Sequence, residues 1–175
     1  MPPLFFHSKT SPAQLEPHLQ PTYHPAPRGK GLRNSTDNFD QGTTLMADAT
    51  AEVLQANAKL LDSINTQNWA AYAELCDPSL TCFEPEALGH VVSGMEFHHF
   101  YFKLAGSGRP KQSIMASPHV RIIGETAIVS YIRLTQRVEA DGVPATFASE
   151  ETRIWQKQNG VWKHVHFHRS IPTAS

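Results

Sequence analysis

From residue 46 onward the apolar positions recur at helical spacing. Val53, Leu54, Ala58, Leu61 and Ile64 fall at three-, four- and seven-residue steps, one face of an amphipathic helix. A second, short helix follows, with Asn68 as its N-cap and Trp69, Tyr72 and Leu75 as its apolar stripe. Asp77-Pro78 ends it, because a proline disfavours the helical region for the residue before it. Thr81-Cys-Phe-Glu reads as a short strand. Residues 95–104 read as a third amphipathic helix, stopped by Gly106, Gly108 and Pro110. Beyond them the pattern predicts strands over 119–123, 127–138, 147–156 and 161–170. Gly124-Glu-Thr, Asp141-Gly142 and Asn159-Gly160 supply the turns, and Asn-Gly is a strong hairpin signal. Helices first and antiparallel hairpins after predict an α+β fold. Its expected form is a cone: a long N-terminal helix packed on a strongly curved, mostly antiparallel sheet with a concave inner face.

The strands are apolar on both parities. Ile122, Ile123, Ile128, Val129, Ile132, Leu134, Ile154, Trp155, Val165 and Phe167 alternate to neither face alone. Such a sheet needs a cover on each side, and one N-terminal helix covers only one. The other face is predicted to be an interface of the large apolar kind found in obligate oligomers.

Residues 1–44 differ in kind. They hold seven of the thirteen prolines and little apolar periodicity, so they bury too little to offset the entropy of ordering them. A disordered or loosely docked tail is expected there, with the domain over 45–175. The net charge is −1, so no basic field marks a nucleic-acid binder. No apolar run reaches the ~18 residues of a membrane span, and the N-terminus lacks a basic region followed by an apolar one. The two cysteines, Cys76 and Cys82, have neither a zinc-knuckle nor a redox spacing and read as buried thiols. A cytoplasmic protein without cofactor, membrane or nucleic-acid partner is expected.

Six blocks carry a family resemblance. They are Cys76-Asp-Pro, Phe83-Glu-Pro-Glu-Ala-Leu-Gly89, Phe97-His-His-Phe-Tyr-Phe102, Tyr131-Ile-Arg-Leu-Thr-Gln136, Ser149-Glu-Glu-Thr-Arg-Ile-Trp155 and Val165-His-Phe-His-Arg-Ser170. In order and spacing they resemble the association (hub) domain of calcium/calmodulin-dependent protein kinase II, of the nuclear transport factor 2-like (cystatin-like) superfamily. The resemblance implies assembly: domains pair into dimers, and dimers stack into a closed double ring, typically a dodecamer or tetradecamer. Such a ring holds kinase domains at high local concentration. The sequence has no Gly-rich loop, His-Arg-Asp or Asp-Phe-Gly of a kinase, so a non-catalytic chain is expected. It is either a stand-alone hub-like protein or a fragment, the dissimilar tail favouring the former, and mixing with kinase subunits is implied.

The same resemblance places Arg133, Arg153 and Arg169 in the deep pocket of the cone, with Tyr72 and His98 beside them. An arginine stays protonated, so a buried cluster demands anionic partners. Two readings stand side by side. The pocket takes a small carboxylate or an acidic or hydrogen-bonding peptide segment, or glutamates of the chain (Glu84, Glu86, Glu150, Glu151) pair with the arginines for structure alone. Tyr72 also reads as core stripe, and His98 as a core histidine. In the family the loop after Phe-Tyr-Phe is longer and carries a tryptophan. Residues 103–112 hold no aromatic, so that residue's part in ligand gating is not implied here.

Register constrains the site. A two-residue Asn159-Gly160 turn followed by an unbroken ladder puts Arg153 and Arg169 on opposite faces. A three-residue loop, Gln158-Asn-Gly160, with Gly160 in a bulge unites them, and it is the form expected from the shared pocket. His164, His166 and His168 alternate and are expected on one face, a spacing open to metal but read as packing. Two rival functions remain. One is an enzyme of the same cone fold (isomerase, dehydratase or cyclase), with Glu84, Glu86 or His98 as base. The other is a dimeric peptide-binding module without the ring.

Overall fold

Helix α1, Thr36–Asn65, leads into the short α2, Trp69–Leu75, with Asn68 capping it by accepting from the Ala71 N–H at 3.1 Å. This computed structural model describes residues 36–172, with side chains from 46 onward. Most of the expected tail therefore lies outside the described residues, while α1 starts well ahead of the periodic segment that announced it.

Strand β1, Cys76–Phe83, starts where α2 stops, and Asp77 turns the chain by accepting from the Ser79 N–H. A 3-10 turn, Pro85–Ala87, leads to β2, Val92–Ser93, and then to α3, Glu96–Lys103. Four long strands complete the fold: β3, Lys111–Ile123; β4, Thr126–Val138; β5, Pro144–Gln158; and β6, Val161–Ser170. The sheet order is β2-β1-β6-β5-β4-β3, antiparallel except for the β1–β6 pair. The α+β expectation holds. Strand β3 is longer than the 119–123 expected, and it runs through Pro118. A bulge absorbs it: Ala116 pairs with Ile132 and His119 with Ser130, with Ser117 at φ 50° between them.

One face of the sheet meets the helices. Val53, Leu60 and Leu61 of α1 pack with Tyr72, Leu80, Ala127, Val129, Trp155 and Phe167 in a single core. Ala58, expected in that face, is exposed, and the polar Asn57 is buried in its stead. Its amide donates to the Met115 sulfur.

The β5–β6 hairpin corrects the loop reading. Gln158 pairs with Val161, so the turn is the two-residue Asn159-Gly160, both residues left-handed at φ 50° and 81°. The frame shift lies further along: Trp155 pairs with His164 but Ile154 with His166, leaving Val165 as an extra residue. This bulge puts Arg153 opposite Phe167 and Glu151 opposite Arg169. Arg153 and Arg169 thus share the inner face, by a device four residues from the turn. The same bulge overturns the expected histidine row. His164 is fully buried on the inner face, whereas His166 and His168 lie on the outer one, where His166 hydrogen-bonds Thr81 and Phe83 packs against both rings.

Candidate functional site

Strands β4, β5 and β6 present their inner-face residues at two-residue steps, and the register stacks these rows. Tyr131 and Arg133 stand opposite Glu151 and Ser149, and Arg153 opposite Phe167. All five residues named from sequence, Arg133, Arg153, Arg169, Tyr72 and His98, line one cavity of about 680 Å³.

Arg153 is the floor. It is 2% exposed, donates from Nη2 to Glu151 Oε2 at 2.8 Å and from Nε to the Tyr131 hydroxyl at 2.9 Å, and lies over the Phe167 ring. Its Nη1 approaches His164 Nε2 at 3.3 Å. Tyr131 in turn donates to Glu151 Oε2 at 2.5 Å. Burial pushes the Glu151 carboxyl upward, but Arg153, Arg133 and the Tyr131 hydroxyl outweigh it and hold it below the usual carboxylate range. Glu150, the other glutamate considered as a partner, faces away and accepts from Ser170.

Arg169 is also paired, to Glu84 at 3.3 Å and to Glu86, both brought in by the segment around the 3-10 turn. Arg133 is different. Its nearest carboxylate oxygen is Glu151 Oε1 at 3.6 Å, and its Nε donates to Ser113 Oγ. Burial together with the Arg153 and Arg169 charges moves Arg133 below its ordinary value despite Glu151, whereas the carboxylates move Arg169 and Arg153 above theirs. Structural pairing therefore accounts for two of the three arginines and leaves Arg133 under-compensated.

Tyr72 and His98 form an aromatic wall, their ring centres 5.9 Å apart. Burial, with Arg153 adding to it, takes His98 down to about 4, and His164 falls well below its ordinary value for the same reasons. Both are neutral near pH 7. Cys82, Glu84 and His98 bring one donor atom each within 4.8 Å of one another, a set able to hold a metal. Burial and Glu84 push the Cys82 thiol up to about 12, and Glu84 is committed to Arg169. Cys82 contacts both Glu84 Oε1 and His98 Nε2, so a cation would have to displace the thiol proton from this trio.

Sequence reasoning missed Lys111 and Arg137, which also line the cavity. Lys111 sat in a segment read as loop, and Arg137 near the end of the strand predicted over 127–138 was not singled out. The alternation Arg133, Thr135, Arg137 along one strand was the available signal.

The model of the calcium/calmodulin-dependent protein kinase II association domain matches residues 49–173. The delta subunit of calcium/calmodulin-dependent protein kinase type II from Oryctolagus cuniculus is 48% identical over 122 residues, 68% of this chain. The chain spans 23% of that relative's length. A calcium/calmodulin-dependent protein kinase II hub homology domain from Chlamydomonas reinhardtii is similar in structure with a TM-score of 0.68 and 50% identity, covering 71% of this chain and 99% of that one. A nuclear transport factor 2-like protein from Salmonella enterica has a TM-score of 0.61 at 20% identity, covering 74% and 95%, a likeness of fold.

The buried charge cluster predicts two stability effects. Glu151→Gln keeps the side-chain shape but leaves Arg153 without its countercharge, at an expected cost of about 3–5 kcal/mol in urea denaturation. A cost below about 1 kcal/mol would show that the ion pair is not what orders the floor. His98 and His164 have folded pKa values below their unfolded ones. Their stabilisation is complete above about pH 6.5 and is lost as the pH falls toward 4. His98→Gln should flatten the fall of stability with pH in that window, by at most about 1.4 kcal/mol per pH unit. An unchanged slope would mean that His98 already carries a proton in the folded state.

Proposed function

The chain belongs to the calcium/calmodulin-dependent protein kinase II association-domain family, and we propose that it works as an assembly domain, pairing into dimers that stack into a closed ring. The observation that carries the reading is the unpartnered outer face of the sheet. Ile128, Ile132, Leu134 and Ile154 lie there half-buried and Ile114 is 46% exposed, while the helices cover only the inner face. A row of aliphatic side chains across three adjacent strands is the composition of an obligate subunit contact. Assembly of this kind concentrates whatever each subunit carries. Kinase-bearing subunits built on the same domain are the partners it would mix with. What is shared with the delta subunit is the association domain, and the role proposed here is non-enzymatic.

The cavity adds a second part to the reading: a seat for a small carboxylate at Arg133, walled by the neutral Tyr72 and His98 and floored by Arg153 and Arg169. Its support is the split within the arginine cluster, in which Arg133 lacks a close carboxylate of its own. An incoming carboxylate would meet an already desolvated cation, which strengthens a charge-assisted hydrogen bond.

Ile132→Glu places a charge in the middle of the outer face. It is expected to keep the far-ultraviolet circular dichroism of the fold while lowering the native mass to a dimer or monomer; an unaltered native mass would mean that this face is not the subunit contact. Arg133→Gln should weaken binding of butyrate in calorimetric titration by about tenfold or more. Equal affinity in the two proteins would move the carboxylate seat elsewhere.

A further inference from the structure

The cavity continues past Arg133 along β4 and β3, and its charge does not fall off. Lys111 and Arg137 stand directly opposite each other in the β3–β4 ladder, and both line the cavity together with Thr135 and Phe147. Like charges directly opposite in an antiparallel pair are destabilising, so this placement costs stability unless an anion lies between them. Arg137 is held in position. Its Nε donates to Glu139 at 2.6 Å, and its guanidinium lies 4.1 Å from the centre of the Phe147 ring. Lys111 has no ion pair among the described residues.

The balance of charge points the same way. Five cations line the cavity: Lys111, Arg133, Arg137, Arg153 and Arg169. Glu151 answers Arg153, Glu84 and Glu86 answer Arg169, and Glu139 answers Arg137. Arg133 in the depth has only the far oxygen of the Glu151 it shares with Arg153, at 3.6 Å, and Lys111 at the mouth has no ion pair among the described residues, so the cluster is one countercharge short. Partial burial first, then Arg133 and Arg137, lower the Lys111 pKa, the mark of a cation in a positive field without an answering charge.

We propose that Lys111 and Arg137 form a second anion seat at the mouth of the cavity, and that the ligand of this pocket is a dianion, an extended dicarboxylate with one carboxylate at Arg133 and the other between Lys111 and Arg137. This rests on the carboxylate reading of the pocket given above. Arg133 and Arg137 are four residues apart on one strand, ~13 Å along the backbone, with Arg133 anchored to Ser113 and Arg137 to Glu139. The two carboxylates of an extended ligand that meets both therefore stand within about 13 Å of each other. Thr135 between the seats offers a hydroxyl, and Phe147 gives an apolar flank for the connecting methylenes.

The test is calorimetric titration of the full chain, at low ionic strength, with α,ω-dicarboxylates from succinate to suberate and with the monomethyl ester of each. The ester keeps the length and the apolar body but removes one charge. A dicarboxylate of intermediate length should bind about tenfold or more tightly than its own monoester, and added salt should shrink the difference. That ratio should collapse toward one in Lys111→Ala with Arg137→Ala. It should also collapse in Lys111→Glu, which pairs with Arg137 across the ladder and so occupies the seat without loosening the strand. Equal binding of diacid and monoester at every length would overturn the second seat while leaving the first intact. Binding of neither would overturn the carboxylate reading, and this proposal with it.

Discussion

Glu151 sits almost wholly out of water between two guanidiniums, and the inner half of the structure is arranged around that charge. A carboxylate and an arginine removed from water cost several kcal/mol each, and only close geometry and further hydrogen bonds offset it. The Tyr131 hydroxyl supplies one such bond to the carboxylate, and His164 stands against the Arg153 fork. These groups come from three strands, so the ion pair is satisfied only when β4, β5 and β6 hold one register. The Val165 bulge is part of that register: without it Arg169 would leave the inner face, and the row that ends in Arg153 would meet residues of the wrong parity.

This dependence explains what sequence could and could not reveal. The helical stripe, the strand runs and the Asn159-Gly160 turn are local signals, and each appears where its residues put it. The common pocket of Arg133, Arg153 and Arg169 follows from the six family blocks, not from spacing alone. Counting residues between Arg153 and Arg169 gives the wrong face for a two-residue turn. The missing residue was sought in the loop, yet it lies at Val165, where nothing in the local sequence marks a bulge. The same shift separates His164 from His166 and His168. Asn57 and Ala58 exchange the burial their polarity suggests, because the Met115 side chain offers Asn57 a partner that no one-dimensional pattern contains. Lys111 escaped notice because Gly106, Gly108 and Pro110 just before it made residues 103–112 read as loop.

The two faces of the sheet divide the labour. The inner face buries polar and charged groups that fix a single geometry, with Arg133 sharing the Glu151 carboxylate and Lys111 without an ion pair among the described residues. The outer face carries aliphatic residues that no helix of the described chain covers. On the reading proposed above, one face serves recognition and the other association, and the two share their strands.

The most direct measurement is the native mass of the full chain by native mass spectrometry. A closed assembly of about ten or more subunits is the expected result. A monomer or a dimer at the same concentration would contradict the assembly role and leave the pocket as the functional element of the chain.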